Sequence, residues 1–102
     1  MQISEILSQS KDIHQWIVEK RRTIHRNPEL MYEEFETSRL VQNTLKELDI
    51  PYEKDIAITG VVGFIGSGTA PCIALRADMD ALPIQEEADV DFRSEIDGKM
   101  HA

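Results

Sequence analysis

Two aspartates with one residue between them are the most suggestive chemical feature of the sequence. Asp78 and Asp80 stand in Arg76-Ala77-Asp78-Met79-Asp80-Ala81-Leu82-Pro83, directly after an apolar run at 72–77. Carboxylates just past the end of a buried strand lie where α/β folds place their sites. Paired carboxylates also hold Mg²⁺ beside substrate phosphates, so a Mg²⁺-dependent phosphoryl or glycosyl transferase is one interpretation of this spacing. An ordinary polar turn is the other.

The remaining reactive residues do not complete a motif. His14 and His25 are about three helical turns apart, too far to chelate one ion, so we expect surface or packing roles for both. His101 stands one residue before the last residue of the sequence. Cys72 lies inside the apolar run, where packing is its expected role. Gly66-Ser67-Gly68 has no helix after it, which favours a turn over a phosphate cradle.

Hydrophobic periodicity predicts two helices in the first half of the chain. Apolar residues at helical spacing predict a helix over about 4–26. Asn27-Pro28 should end it, because the residue before proline avoids the helical region. A second helix is predicted over about 33–48. Its buried face is expected to consist of Leu40, Val41, Leu45 and Leu48.

The second half has the residue types and spacing of strands. Runs at 52–58, 60–65 and 72–77 are β-rich and bounded by turn residues, and the third is nearly all apolar, as in a central strand covered on both faces. The intervening 66–71 is long enough for an antiparallel hairpin loop. One more short strand is predicted at 90–93. The order helix, helix, strand, strand, strand predicts an α/β fold, part of a three-layer α/β/α domain with a mixed sheet.

Composition limits the classes of function. At 102 residues, the chain has room for at most one domain. Its residues are 41% apolar, and its net charge is −8. Residues 1–26 hold five basic and three acidic side chains, so the acidic excess lies entirely in residues 27–102. Such a chain repels phosphate backbones, which argues against nucleic acid as a partner. No apolar run is long enough for a membrane helix. The single cysteine fits a reducing compartment, and the cytoplasm is the expected location.

A series of motifs runs along residues 13–102. They are Arg22-Thr23-Ile24-His25-Arg26-Asn27-Pro28-Glu29-Leu30, Glu33-Glu34-Phe35-Glu36-Thr37-Ser38, Thr59-Gly60-Val61-Val62-Gly63, the stretch Leu75–Pro83, and Gly98-Lys99-Met100-His101-Ala102. In this order and spacing they resemble the metal-dependent amidohydrolases of the aminoacylase type. That family includes hippurate hydrolases and the plant hydrolases that release auxin from amino-acid conjugates.

The resemblance implies hydrolysis of the amide bond of N-acyl amino acids at a centre of two divalent ions, Zn²⁺ or Mn²⁺. Such ions acidify a bound water and polarise the carbonyl. The family's ligands begin with a Cys-Gly-His motif, and they and the general base would lie beyond Ala102. Residues 1–102 are therefore expected to be an incomplete N-terminal part of one catalytic domain, inactive alone. Asp80 is implied to orient a ligand histidine by accepting its hydrogen bond, and Asp78 stands at a ligand position as a candidate metal ligand.

Two alternatives from other classes stay open beside the hydrolase. The chain could be a non-catalytic truncated product, or half of a two-chain assembly whose partner supplies the missing part. It could also be the Mg²⁺-dependent transferase that uses Asp78 and Asp80. The partner expected for the complete enzyme is a small acyl amino acid. A three-stranded sheet would leave an edge uncovered, so self-association through that edge is also expected.

Overall fold

Three helices form the first half of the chain. In a computed structural model that describes residues 1–102, α1 spans Ile3–Asp12, α2 spans His14–Arg26 and α3 spans Phe35–Glu47. The helix predicted over 4–26 is confirmed as α1 and α2, with one interruption at Ile13. The Ile13 N–H still donates to the Gln9 carbonyl at 3.3 Å, and the Ile13 carbonyl accepts from the Ile17 N–H at 3.0 Å. Backbone hydrogen bonding therefore continues across the interruption.

Helix α3 ends in a left-handed turn at Asp49. This residue has φ 56°, and its N–H donates to the Lys46 carbonyl at 3.1 Å while the Ile50 N–H donates to the Leu45 carbonyl at 2.9 Å. The two bonds form a Schellman motif, which satisfies carbonyls that the helix end leaves free. Glycine usually occupies the left-handed position of this motif, so an aspartate there carries some backbone strain.

The buried face predicted for α3 is confirmed only in part. Leu40, Val41 and Leu45 are half-buried, and a Leu45 methyl carbon lies 3.3 Å from where a Cβ of Gly63 would be. Leu48 is 53% exposed. The prediction was wrong there because Leu48 is the C-cap, where the chain leaves the helix.

The hairpin after α3 is a two-stranded antiparallel sheet. Strand β1 spans Tyr52–Ile56 and β2 spans Gly60–Gly63, shorter than the predicted runs of 52–58 and 60–65. Pairing becomes irregular between Glu53 and Ile56. Positive φ angles of 58° at Asp55, 48° at Ala57 and 81° at Ile58 accompany the tight turn. The β-branched Ile58 is an unusual occupant of that region of backbone space. Together, the three helices and this sheet confirm the α/β class.

The third predicted strand, Cys72–Ala77, is absent. Residues 64–81 contain no helix or strand, and Cys72 is exposed rather than packed in a core. Ile73 and Leu75 are 87% and 97% exposed. An apolar run of this kind is a stable strand only when side chains cover both of its faces. No such layers are present here, because Ala81 is the one buried hydrophobic residue apart from Pro28.

The strand predicted at 90–93 is also wrong. Asp91 and Phe92 form a turn, closed by a hydrogen bond of 3.3 Å from the Arg93 N–H to the Val90 carbonyl. A four-residue run with an acidic residue inside it has little to hold it extended without a paired neighbour. None of the three helices is long and apolar enough to cross a membrane.

Candidate functional site

Asp78 and Asp80 share one open cavity with His101. The cavity has a volume of about 280 Å³ and is also lined by Leu82 and Ala102. Asp78 is exposed, whereas Asp80 and His101 are half-buried. The strand expected to carry the two aspartates is missing, but the structure brings them together with the histidine that is distant in sequence. Two carboxylates and an imidazole around one cavity can exchange protons with a bound molecule.

A short antiparallel bridge holds His101 beside the aspartates. The Leu82 N–H donates to the Met100 carbonyl at 2.9 Å, and the Met100 N–H donates back to the Leu82 carbonyl at 3.1 Å. The preceding Ala81 is 3% exposed, and its N–H donates to the Glu29 carbonyl at 2.8 Å. Residues 81–101, called the anchored loop below, are thus tied both to themselves and to the segment that follows α2.

Glu29 connects this loop to the start of α3. Its side-chain carboxylate accepts hydrogen bonds from the Glu36 N–H at 3.0 Å, the Thr37 N–H at 2.6 Å and the Thr37 hydroxyl at 2.6 Å. The first amides of a helix have no partner within the helix, and a carboxylate there also complements the helix dipole. One residue therefore caps α3 with its side chain and holds Ala81 with its main chain.

His101 is held mainly in its neutral form. Burial lowers the pKa of His101 below its usual 6.5, and the nearby His25 lowers it further. Asp80, Asp78 and Glu29 act in the opposite direction but do not restore the usual value. The Nε2 atom of His101 is buried and has no hydrogen-bond partner. A neutral imidazole with a free nitrogen can serve as a ligand or as a general base.

A buried pair between His25 and Glu86 holds the far side of the anchored loop. The Nε2 atom of His25 lies 2.7 Å and 3.0 Å from the two carboxylate oxygens of Glu86, which is only 2% exposed. The Ser94 N–H donates to the same carboxylate at 3.1 Å. Burial acts to raise the pKa of Glu86. The hydrogen bonds from Ser94 and His25, with the positive charge of Arg93, outweigh burial and lower that pKa below its usual 4.5.

Phe92 packs against three side chains of α2. The His25 ring meets the Phe92 ring edge-on at a centroid distance of 5.8 Å. The guanidinium groups of Arg22 and Arg21 lie 4.3 Å and 5.4 Å from the Phe92 centroid. The His25 and His101 rings are 6.4 Å apart. Helix α2 therefore reaches the edge of the cavity through a set of polar and aromatic contacts.

Sequence reasoning gave His25 a surface or packing role and did not single out Glu29 or Glu86. His25 is packed, whereas His14 is exposed as expected. Glu86 and its exposed neighbour Glu87 are indistinguishable in the sequence, because the partner that buries Glu86 stands 61 residues away. For Glu29, no capping signal in the sequence could have found it, because it lies six residues before the start of α3.

The described residues do not form a metal centre by themselves. No group of three or more His, Cys, Asp or Glu side chains has an arrangement that could hold a metal ion. Asp78, Asp80 and His101 offer oxygen and nitrogen ligands around a cavity, but they do not make up the ligand set that two divalent ions need.

A second depression lies between α2 and α3. Its volume is about 470 Å³, larger than that of the aspartate cavity, and only two of its eleven lining residues are hydrophobic. Arg39 and Glu36 in its wall form an exposed ion pair at 2.6 Å. An exposed pair three residues apart on one helix is ordinary surface structure. Apart from this ordinary ion pair, the larger depression has no converging reactive groups. The smaller aspartate cavity is therefore the better candidate for a functional site.

Comparison with known proteins identifies the relatives of the chain. No family model matches it. The IAA-amino acid hydrolase ILR1-like 5 of Arabidopsis thaliana is 53% identical over 96 residues, which are 94% of this chain and 22% of that protein. The thermostable carboxypeptidase 2 of Saccharolobus solfataricus is 47% identical over 102 residues, which are 98% of this chain and 26% of that protein.

A solved structure shows the same arrangement of the backbone. The Bacillus subtilis YXEP protein, a dinuclear metal binding peptidase from the M20 family, superposes with a TM-score of 0.81 at 40% identity, over 89% of this chain and 26% of that chain. The chain thus spans about a quarter of the length of each relative that it matches. Over that quarter, it is a homologue of the IAA-amino acid hydrolases and of the M20 family dinuclear metal peptidases.

Proposed function

We propose that residues 1–102 supply part of the catalytic domain of a metal-dependent amidohydrolase. The reaction is hydrolysis of the amide bond between an acyl group and an amino acid. Identity of 53% to an IAA-amino acid hydrolase over nearly the whole chain supports this proposal. The likeness to a dinuclear metal binding peptidase supports a centre of two divalent ions, Zn²⁺ or Mn²⁺. The cytoplasm is the proposed location and a small acyl amino acid the proposed partner.

The observation that carries the proposal is the convergence of Asp78, Asp80 and His101 on one cavity. In an amidohydrolase, two divalent ions activate water and polarise the scissile carbonyl. This chain lacks a complete ligand set, so the remaining ligands and the general base must come from the other three quarters of the fold. Asp80 is half-buried and is the better placed of the two carboxylates to accept a hydrogen bond from a ligand histidine. Asp78 is exposed and available as a ligand itself.

Nothing in the structure favours the transferase that the aspartate spacing also allowed. Gly66 and Gly68 lie in an exposed loop without a helix behind them, so this loop does not provide a phosphate-binding helix N-terminus.

The proposal can be tested in a chimera in which residues 1–102 replace the matched quarter of YXEP. We expect Asp80→Asn to lower turnover of an N-acyl amino acid at saturating Mn²⁺ or Zn²⁺ by roughly 10–100-fold, because the amide is a poorer acceptor for a ligand histidine. Asp89→Asn is the control, since Asp89 is exposed and lies outside the cavity. Unchanged turnover in Asp80→Asn with a lowered melting temperature would assign Asp80 a purely structural role.

A further inference from the structure

Glu29 belongs to two hydrogen-bonded groups at once. Its carboxylate accepts from the Glu36 N–H, the Thr37 N–H and the Thr37 hydroxyl at distances between 2.6 Å and 3.0 Å, and its main-chain carbonyl accepts from the Ala81 N–H at 2.8 Å. Thr37 is 4% exposed and Ala81 is 3% exposed, so water has little access to these partners. Hydrogen bonds to a charged acceptor are stronger than those between neutral groups. The side chain is therefore the more firmly held part of Glu29.

Fixing the side chain of Glu29 also fixes the direction of its carbonyl. The carboxylate and the carbonyl belong to the same residue, and three hydrogen bonds restrict both its side-chain rotamer and its backbone angles. Without those bonds, the peptide group between Glu29 and Leu30 could rotate, and the Ala81 N–H would lose a correctly aimed acceptor. The contact at Ala81 thus depends on a side chain that is held at the start of α3.

Ala81 transmits the position of Glu29 to the aspartate cavity. The Ala81 N–H and the Asp80 carbonyl lie in one planar peptide group, so a shift of the first moves the second. On the other side, Leu82 pairs with Met100, which precedes His101. Two residues that line the cavity are therefore linked to Glu29 through one hydrogen bond and a short length of backbone.

We infer that Glu29 is a positioning residue for the aspartate cavity, because its carboxylate, held at the start of α3, fixes the carbonyl that places Ala81 and with it Asp80. Glu29 touches neither substrate nor metal in this role and acts only through Asp80. Its part in hydrolysis rests on the proposed function, in which Asp80 orients a ligand histidine. Groups at such a site act only within a narrow range of geometry, so a residue that limits the movement of Asp80 contributes to the reaction.

Other attachments of the anchored loop do not depend on Glu29. The buried pair of His25 and Glu86 holds the loop to α2, and the Glu95 N–H donates to the Arg26 carbonyl at 2.8 Å. Both contacts remain when the Glu29 carboxylate is removed. Loss of that carboxylate should therefore loosen the aspartate end of the loop without detaching the loop as a whole.

Amide hydrogen exchange on the full chain can separate the two ends of the anchored loop. The Ala81 amide reports the attachment to Glu29, and the Glu95 amide, bonded elsewhere, is the internal reference. In Glu29→Gln, exchange at Ala81 should be faster by about 10-fold or more relative to Glu95, since a charged acceptor is lost. Glu36→Gln is the matched control. It makes the same change in the first turn of α3 at a side chain that is 70% exposed, and it should leave the ratio unchanged.

A second variant changes no charge. Thr37→Val removes the 2.6 Å hydroxyl bond to Glu29 and keeps the size of the side chain. It should speed exchange at Ala81 by roughly 2–10-fold relative to Glu95. It should also shift the NMR signals of the Asp80 carboxyl and the His101 ring. Glu29→Gln removes a charge that raises the pKa of His101, so only Thr37→Val reports position alone.

The outcomes distinguish a positioning residue from a simple helix cap. Equal acceleration at Ala81, Glu95 and the α3 amides, with unmoved signals of Asp80 and His101 in Thr37→Val, would make Glu29 a cap only and overturn the inference. Parental exchange at Ala81 in Glu29→Gln would overturn it as well. If Glu29→Gln does not fold, Thr37→Val decides by the same criteria. Selective loosening of Ala81 beside an inactive YXEP chimera would overturn the proposed function and leave the positioning of Asp80 by Glu29 standing.

Discussion

The anchored loop and the apolar segment Cys72–Ala77 are close in sequence and opposite in structure. Eight of the 21 residues of the anchored loop are charged, yet Glu86 in it is only 2% exposed and the loop is hydrogen-bonded to α2, Glu29 and itself. The apolar segment has one charged residue, Arg76, and its backbone makes no hydrogen bond within the chain. Directional polar contacts can be completed by two groups, whereas burial of an apolar strand needs whole layers. The polar region is therefore ordered by its own contacts, whereas the apolar segment has no layers to pack against.

Removing the charge of Glu86 should break the anchored loop and cause the largest loss of stability. Glu86→Gln replaces a carboxylate that accepts from His25 and Ser94 with a neutral amide, leaving buried groups poorly paired. We expect a lower urea midpoint at pH 7 than in the parent chain, while Glu87→Gln at the exposed neighbour should have no effect.

The pH dependence of that loss follows from the lowered pKa of Glu86. The ionised form stabilises the fold above the usual carboxyl pKa of 4.5, and its contribution is lost as pH falls through the lowered pKa. Unfolding curves of Glu86→Gln and the parent should therefore converge as the pH falls below 4.5 and through the lowered pKa. Equal midpoints at pH 7 would show that the pair contributes nothing.

A methyl group at Gly60 should disrupt the hairpin. A Cβ there would collide with the backbone carbonyl of Ile56, which cannot move without opening the turn. We expect Gly60→Ala to cost about 1–3 kcal/mol, the usual range for overpacking. Gly63→Ala is the control, because its Cβ would meet a flexible Leu45 methyl at 3.3 Å. Equal free energies of unfolding for the two variants would contradict this account.

Titration of His101, at the cavity, should make the free energy of unfolding depend on pH near neutrality. Because burial and His25 lower the pKa of His101 from 6.5, the unfolded chain binds a proton there before the folded chain does. Stability should therefore fall as pH drops from 6.5 towards the lowered pKa. His101→Asn should flatten urea midpoints measured between pH 8 and pH 5, and His14→Asn should not. An identical slope in His101→Asn would remove His101 as the cause.

The smallest expected effect is a gain of stability. Asp49 holds a left-handed conformation at φ 56°, where glycine has no steric penalty. Asp49→Gly should stabilise the chain by roughly 0.5–1 kcal/mol in urea unfolding. Asp89→Gly, in a loop without such an angle, should give no gain. A loss of stability in Asp49→Gly would show that the side chain itself matters.

The same contrast explains what could be predicted from the sequence. Helix positions rest on local periodicity, so α3 and the two ends of the first helical region were found within a few residues. The break at Ile13 between α1 and α2 was missed. The prediction of a third strand was wrong. The apolar pattern of Cys72–Ala77 shows that the segment needs covering layers to form a strand, but it does not show whether those layers are present. The aspartate pair was singled out from its spacing, and the role that family resemblance implies for it stays a prediction. The burial of Glu86 could not be found, since it depends on a histidine 61 residues away.

The two attachments of Glu29 also fix an order of events in folding. Its side chain meets Thr37 only eight residues away, and closing so short a loop costs little chain entropy. Its carbonyl meets Ala81 on the far side of the hairpin, a contact of much longer range that forms more slowly. The cap of α3 should therefore form first and present a ready acceptor to which the aspartate-bearing end of the chain attaches.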